Sequence, residues 1–240
     1  MSKPALSTII FDLDGTLLDS EPTYHLADQA FLAAHGLVMP AAFWESVPGM
    51  GSRNFLTMLQ SKHGLVGNID QLLSEKNEIF RSMASQTMRF FPETVRFLEE
   101  AKAAGLKTAI ASGSSPEIIR NSLLWAGLSV DCVDMMASAD EVPAGKPAPD
   151  VFLETCRRLG QHPRNCLVVE DSRAGVLAAK AAGIICVALP GQPLSNADVI
   201  YNQAEILYQH GMASFTSQSL WKLLDVFFDR LVIAEENAVP

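Results

Sequence analysis

Positive charge is scarce in this chain: 18 Lys and Arg stand against 27 Asp and Glu, a formal net charge of -9. A nucleic-acid backbone demands a basic footprint, so nucleic acid is not expected as a partner. The same deficit means that an anionic substrate must be held by a few local cations or by a metal, because the global field repels it. Cysteine is sparse too, and Cys132, Cys156, Cys166 and Cys186 show no CxxC spacing. Three of them stand in apolar or strand-like stretches, where a reduced thiol behaves as a small hydrophobe. Free thiols in a cytoplasmic protein are therefore expected. No stretch approaches the ~18 apolar residues of a membrane span, and the short apolar run near the N-terminus ends in acids, too brief for a signal-peptide core. A membrane role is not expected. Internal repeats and low-complexity stretches are missing, and nothing suggests an obligate partner, so the expected state is a monomer.

What the chain does have is a globular balance, 48% hydrophobic against 19% charged, over 240 residues. That length allows one large core, or a core carrying a smaller insert. Residues 6–11, LSTIIF, form a short β-branched apolar run that stops at Asp12, the pattern of a buried strand feeding a polar loop. The period then changes. From Ser20 to about residue 85 the signals are helical, with Ser20 as N-cap, Pro22 in the first turn, and Leu26, Ala30, Phe31 and Ala34 on one face. A second helix fits Ser52 to His63, and a third starts at Asp70 with Leu72, Ile79, Phe80 and Met83 aligned. From Phe91 strand and helix patterns alternate, with strands at 106–111, 133–137, 166–169 and 184–189. Such alternation marks a parallel sheet covered by helices on both faces. The tail reads as a helix near 198–209, a short strand at 212–215 and an amphipathic helix near 217–233. The prediction is an α/β fold: a doubly wound, Rossmann-like parallel sheet built from 1–18 and 91–240, with an all-helical domain inserted over 19–90.

In such sheets ligands bind outside the carboxyl ends of the strands, so the residues that follow each strand matter most. They are Asp12 and Asp14, then Ser112 and Gly113, then Lys146 after a loop, then Glu170 and Asp171. Side chains two apart in extended chain point the same way, so Asp12 and Asp14 can both reach one crevice. Four carboxylates gathered there would repel one another unless a divalent cation sat among them, and hard oxygen ligands suit Mg²⁺. A cation, a Ser hydroxyl and a Lys ammonium make a cradle for a phosphoryl group, whose transfer depends on positioning and charge neutralisation. One carboxylate is then free to attack phosphorus. Asp12 takes that role, forming an aspartyl-phosphate. A protonated Asp14 gives its proton to the leaving oxygen and later takes one from water. Gly15 lets the backbone turn so that amides face the phosphate oxygens.

The motifs DLDGT at 12–16, SG at 112–113, GKPAPD at 145–150 and ED at 170–171 resemble, in order and spacing, those of the haloacid dehalogenase superfamily. The likeness covers nearly the whole chain and is weak in the helical insert and beyond residue 190. The insert resembles the family's C1 cap. The stretches GKPAPD and VVEDSRAGVLAAKAAG are similar to the branch that holds β-phosphoglucomutase and sugar-phosphate phosphatases. The resemblance implies Asp12 as nucleophile, Asp14 as acid and base, and Ser112 and Lys146, beside Gly113, as phosphate binders. It also implies magnesium held by Asp12, the Asp14 carbonyl, Glu170 and Asp171. Arg53 follows Gly49 and Gly51 at a position resembling the family's substrate-specificity loop. Lys76 lies on the apolar stripe of its helix, either aimed at the crevice to meet substrate or snorkelling at the stripe's edge.

Hydrolysis of a small phosphate ester, a sugar phosphate by resemblance, is the leading expectation. The alternative is a mutase like β-phosphoglucomutase, since Arg53 and Lys76 fall where the mutases' cap cations lie. Against it, Tyr24 stands where the mutases place His, and His25 comes one residue later, rotated by about 100° on a helix. Competing motifs fail on spacing. An EF-hand loop would put Thr23 in place of the bidentate Glu, and Lys146 is followed by Pro147, unlike a Walker A lysine. A binding protein without catalysis, the remaining class, predicts that Asp12→Asn leaves its role intact.

Overall fold

The structure, a computed structural model, describes residues 6–44, 47, 52–191, 194 and 198–237, with side chains up to residue 228. The chain forms two compact units, Met1–Asp19 with Phe90–Pro240, and Ser20–Arg89. In the first unit, β1 (Thr8–Phe11) lies at the centre of a six-stranded sheet ordered β5-β4-β1-β6-β7-β8. The other strands are β4 (Lys107–Ser112), β5 (Met135–Ser138), β6 (Cys166–Glu170), β7 (Ile185–Ala188) and β8 (Ile206–Leu207). Every pairing in this sheet is parallel. The chain leaves this unit through β2 (Leu18–Asp19) and returns through β3 (Arg89–Phe90).

Because β1 is covered on both faces, its run of Ile9, Ile10 and Phe11 is fully buried, each side chain contributing about 1.5–3 kcal/mol relative to exposure. Side chains alternate across the sheet. On one face Ile10, Ala111, Val168 and Cys186 pack on Phe152 and Cys156 of α7 (Asp150–Leu159) and on Val176 and Ala179 of α8 (Arg173–Ala182). On the other, Phe11 meets Phe97 of α5 (Pro92–Ala103) edge-on at 6.0 Å, and Phe97 lies 4.9 Å from Trp221 of α9 (Ser217–Asn237). From β1 the sheet grows outward to β4 and β5 on one side and to β6, β7 and β8 on the other. That reversal opens a crevice beyond the carboxyl ends of β1 and β6.

The tail departs from its sequence pattern. Instead of a helix near 198–209, a 3-10 turn over Val199–Gln203 leads into β8. Pairing with β7 and the bond from Tyr208 N to Ala188 O commit that backbone to the sheet, and tertiary pairing overrides local propensity. The expected strand at 212–215 is likewise a turn, Gly211–Ala213. The amides of Gly211, Ala213, Ser214 and Phe215 bond three residues back and so have no strand partner.

The second unit consists of α1 (Glu21–Ala34), α2 (Ala41–Trp44), α3 (Ser52–His63) and α4 (Ile69–Thr87). Phe31, Leu32, Phe43, Phe55, Leu56, Leu59, Leu65 and Leu72 form its core. Asn68 caps α4, accepting from the amides of Asp70 and Gln71, the usual remedy for orphan N–H groups at a helix start. The buried face of α1 differs from expectation: it is Thr23, Ala27 and Phe31 with Leu32, while Leu26 is 43% exposed. A threonine can sit there because its hydroxyl shares a 2.8 Å hydrogen bond with that of Thr87, a partner that apolar spacing does not signal. Ser20 makes no capping bond to α1. Among the described residues, no helix is long and apolar enough to cross a membrane.

Candidate active site

Strand β1 delivers Asp12 to the crevice, its amide donating to Val169 O at 3.0 Å and so tying it to β6. The chain then turns at Gly15, whose φ is +79° and whose missing Cβ would stand 2.2 Å from Asp171 Oδ2. Only glycine combines that backbone with that approach. Asp14, between them, accepts from Ser114 Oγ at 3.3 Å.

Ser112 ends β4 and is buried, its Oγ accepting from Ser114 N at 3.0 Å. The helix that follows, α6 (Pro116–Trp125), is capped by Ser115 and not by Ser112. Gly113 is exposed, with open space where a Cβ would point.

Lys146 reaches in from its loop. Its Nζ donates to Asp12 Oδ1 at 2.5 Å, to Glu170 Oε1 at 2.6 Å and to Ala111 O at 3.1 Å. Glu170, fully buried at the end of β6, takes Lys146 on one oxygen, and on the other the amide (2.7 Å) and hydroxyl (2.9 Å) of Ser172. One oxygen from each of Asp12, Glu170 and Asp171 falls within 4.8 Å of the others.

The electrostatics of this cluster follow from burial and crowding. Desolvation pushes Asp12 up to about 7; Lys146 opposes it, while Glu170 and Asp14 add to it. Asp171 is likewise raised well above the usual carboxylate range by its burial and then by Glu170 and Asp12. Burial works against the charge on Lys146, but Asp12 and Glu170 outweigh it and hold the ammonium above its ordinary value. Three carboxylates against one ammonium leave a formal surplus of two negative charges. A divalent cation suits that surplus, since these donors are hard oxygens and a cation would offset the burial and crowding that favour protonation of Asp12 and Asp171.

Arg53 and Lys76 lie in the helical unit and bond within it. Arg53 is exposed on α3, its guanidinium 2.6 Å from Asp70 Oδ1. Lys76 neither snorkels nor reaches solvent: it is 3% exposed, with Nζ 2.7 Å from Asp28 Oδ1 and 3.2 Å from Ser52 Oγ. The Asp28 contact is an ion pair without the alignment of a hydrogen bond. Gly49, Met50 and Gly51 lie outside the described residues.

Sequence reasoning passed over several residues that shape the crevice. Ser172 holds Glu170 and, through its hydroxyl, caps Gly175 N at 3.0 Å; its place at the mouth of a helix was the available signal. A Cβ on Gly175 would come within 1.8 Å of Glu170 Oε1, a demand that a helical glycine in an alanine-rich stretch hints at. Thr16, fully buried, donates to Asp171 Oδ1 at 3.4 Å. Tyr201 donates to the backbone carbonyl of Asp171 at 2.8 Å, and nothing local in the tail announces it.

A family model described as a haloacid dehalogenase-like hydrolase matches residues 6–183. The chain is 33% identical to YhcW of Bacillus subtilis strain 168 over 223 residues, 92% of this chain and 97% of that one. It is 32% identical over 181 residues to the fructose-1-phosphate phosphatase YqaB of Escherichia coli K12, covering 75% of this chain and 94% of that one. Among solved structures, β-phosphoglucomutase from Clostridium difficile shares the fold, with a TM-score of 0.73 at 22% identity over 95% of this chain and 99% of that one.

Proposed function

The chain belongs to the haloacid dehalogenase-like hydrolase family, and from that premise we propose that it is a magnesium-dependent phosphatase of small phosphorylated metabolites, sugar phosphates first among them. One observation carries the reading: at the strand ends a single ammonium meets the buried carboxylates of Asp12 and Glu170, and an oxygen of the partly buried Asp171 lies within 4.8 Å of theirs. A fructose-1-phosphate phosphatase among the relatives supports the substrate class.

Asp12, Glu170, Asp171 and the Asp14 carbonyl are the groups that would hold the cation, which when bound supplies neutralising charge to the phosphoryl oxygens. Lys146 and Ser112, beside Gly113, bind those oxygens. Asp12 attacks phosphorus in line, and the ester oxygen leaves with the proton that Asp14 carries. The same Asp14, now a carboxylate steadied by Ser114, takes a proton from the water that attacks the aspartyl-phosphate. Phosphate departs and Asp12 is restored. The helical insert, 19–90, acts as a cap that selects substrate, with Arg53 and Lys76 as its substrate-contacting cations. Lys76 must divide its charge between that task and Asp28. The enzyme works as a monomer in the cytoplasm.

A phosphate-release screen over sugar phosphates, nucleotides and phosphoglycolate, with and without Mg²⁺, tests this. Release that depends on Mg²⁺ and vanishes in EDTA is expected, and activity indifferent to EDTA would overturn the metal assignment. Adding a bisphosphate activator to β-glucose 1-phosphate separates hydrolysis from the mutase alternative. Conversion to the 6-phosphate with little free phosphate would replace the phosphatase reading.

A further inference from the structure

We propose that Tyr201 is a positioning residue for Asp171, and through it for cation binding in the crevice; the proposal rests on the magnesium reading above. The family model ends at residue 183, so this group comes from chain beyond the matched part.

The backbone around Asp171 explains the role. Strand β6 ends at Glu170, whose carbonyl still takes a ladder bond from Leu189 N at 2.7 Å. Helix α8 begins at Arg173, with Ser172 as its N-cap. The Asp171 carbonyl falls between the two, past the ladder and ahead of the helix's own bonds, and Tyr201 Oη donates to it at 2.8 Å.

The phenol is a fixed strut. Tyr201 is 7% exposed, packed in the core with Val176 and Ala179. Its amide bonds to Asp198 O at 3.2 Å, and Asp198 is ion-paired with Arg173 at the start of α8. On the opposite side the Asp171 carboxylate meets Thr16 Oγ1 at 3.4 Å and the bare α-carbon of Gly15. Holding the peptide at one end and confining the carboxylate at the other sets where Asp171 points. Partners that orient a metal ligand are typically worth ~10–100-fold in affinity.

The test compares wild type, Tyr201→Phe and Tyr208→Phe. The second variant also deletes one phenolic hydroxyl in the same unit, but that hydroxyl bonds to Ser219 Oγ at 2.8 Å, away from Asp171. Calorimetric titration with MgCl₂, and the Mg²⁺-induced rise in Tm, read cation binding without substrate. For Tyr201→Phe we expect roughly 10-fold weaker Mg²⁺ binding and a matching rise in half-saturating Mg²⁺ for phosphate release. Its KM for the ester at saturating Mg²⁺ stays within about twofold of wild type, and Tyr208→Phe keeps wild-type Mg²⁺ affinity. Tyr201→Phe that loses Tm yet binds Mg²⁺ like wild type would reduce Tyr201 to packing and overturn the proposal. Arg173→Gln, which loosens the strut from the surface, serves if Tyr201→Phe does not fold; it should weaken Mg²⁺ binding in the same direction, and unchanged binding counts against us. A wild type that takes up no Mg²⁺ sinks the magnesium reading itself, and this inference with it.

Discussion

Each unit of this protein buries a lysine against carboxylates, and the two do so with different arithmetic. In the sheet unit Lys146 lies 2.5 Å from Asp12 and 2.6 Å from Glu170, with Asp171 completing the cluster. In the helical unit Lys76 faces Asp28 at 2.7 Å, one charge to one, with the rings of Tyr24 and Phe55 at 5.5 and 5.7 Å. Both lysines are removed from water, which is costly unless the charge is matched. The helical pair is matched in charge. The crevice carries more acid than its lysine can answer, a surplus that a bound cation would offset.

The largest effect should come from the surplus. Asp12→Asn is expected to cut phosphate release by at least ~10³-fold while circular dichroism stays native. Activity surviving that change would mean that the surplus in the crevice does not serve catalysis through Asp12. Next comes Lys76→Met, which leaves Asp28 buried without its counter-charge and should cost about 3 kcal/mol in urea unfolding at pH 8. Burial already raises the Asp28 carboxyl, with Lys76 opposing, and removing Lys76 raises it further. A folded value above the unfolded one, about 3.9, means that the folded state holds the extra proton. The stability is therefore fully present below the unfolded value and is lost as pH rises through the folded one. The variant's deficit should grow from acid to alkaline pH. Asp28→Leu with Lys76→Met should recover to within about 1 kcal/mol of wild type and lose that pH dependence; a double variant as weak as the single would mean that the pair does more than balance charge.

Gly175→Ala sharpens the contrast from the crevice side. Alanine in a helix normally gains up to about 1 kcal/mol over glycine, but here its Cβ would strike the Glu170 carboxylate at 1.8 Å. A net loss of about 1–3 kcal/mol is expected, and a gain in Tm would mean that Glu170 is not rigidly seated. The smallest effect belongs to a cluster of ion pairs at the protein surface. Hydrogen bonds from Arg157 and Arg158 lower Glu154 to about 2. Its stabilisation is present above the unfolded value of about 4.3 and is lost as pH falls toward about 2. Glu154→Gln should lower Tm slightly at neutral pH, where that contribution is fully present, and flatten the acid slope, with salt erasing the difference.

Local patterns were the readable ones. The helix Ser52–His63 and the central strands stand close to where apolar periodicity put them, because period and burial are properties of neighbouring residues. The meeting of Asp12 with Lys146, Glu170 and Asp171 follows once each is seen to sit beyond a parallel strand. Asp28 was not readable as the partner of Lys76, since an acid on a distant helix looks like any solvated face. Tyr201 and the tail escaped for the same reason: β8 exists only because β7 offers an edge.

The chain alone determined a parallel sheet interrupted by helices and the acids that close its strands, since a hydrophobic period and its polar terminator are written within a few residues. Which buried lysine is balanced and which is outnumbered was decided only in three dimensions. Charge is summed over space, and the partners that settle the sum lie far apart along the backbone.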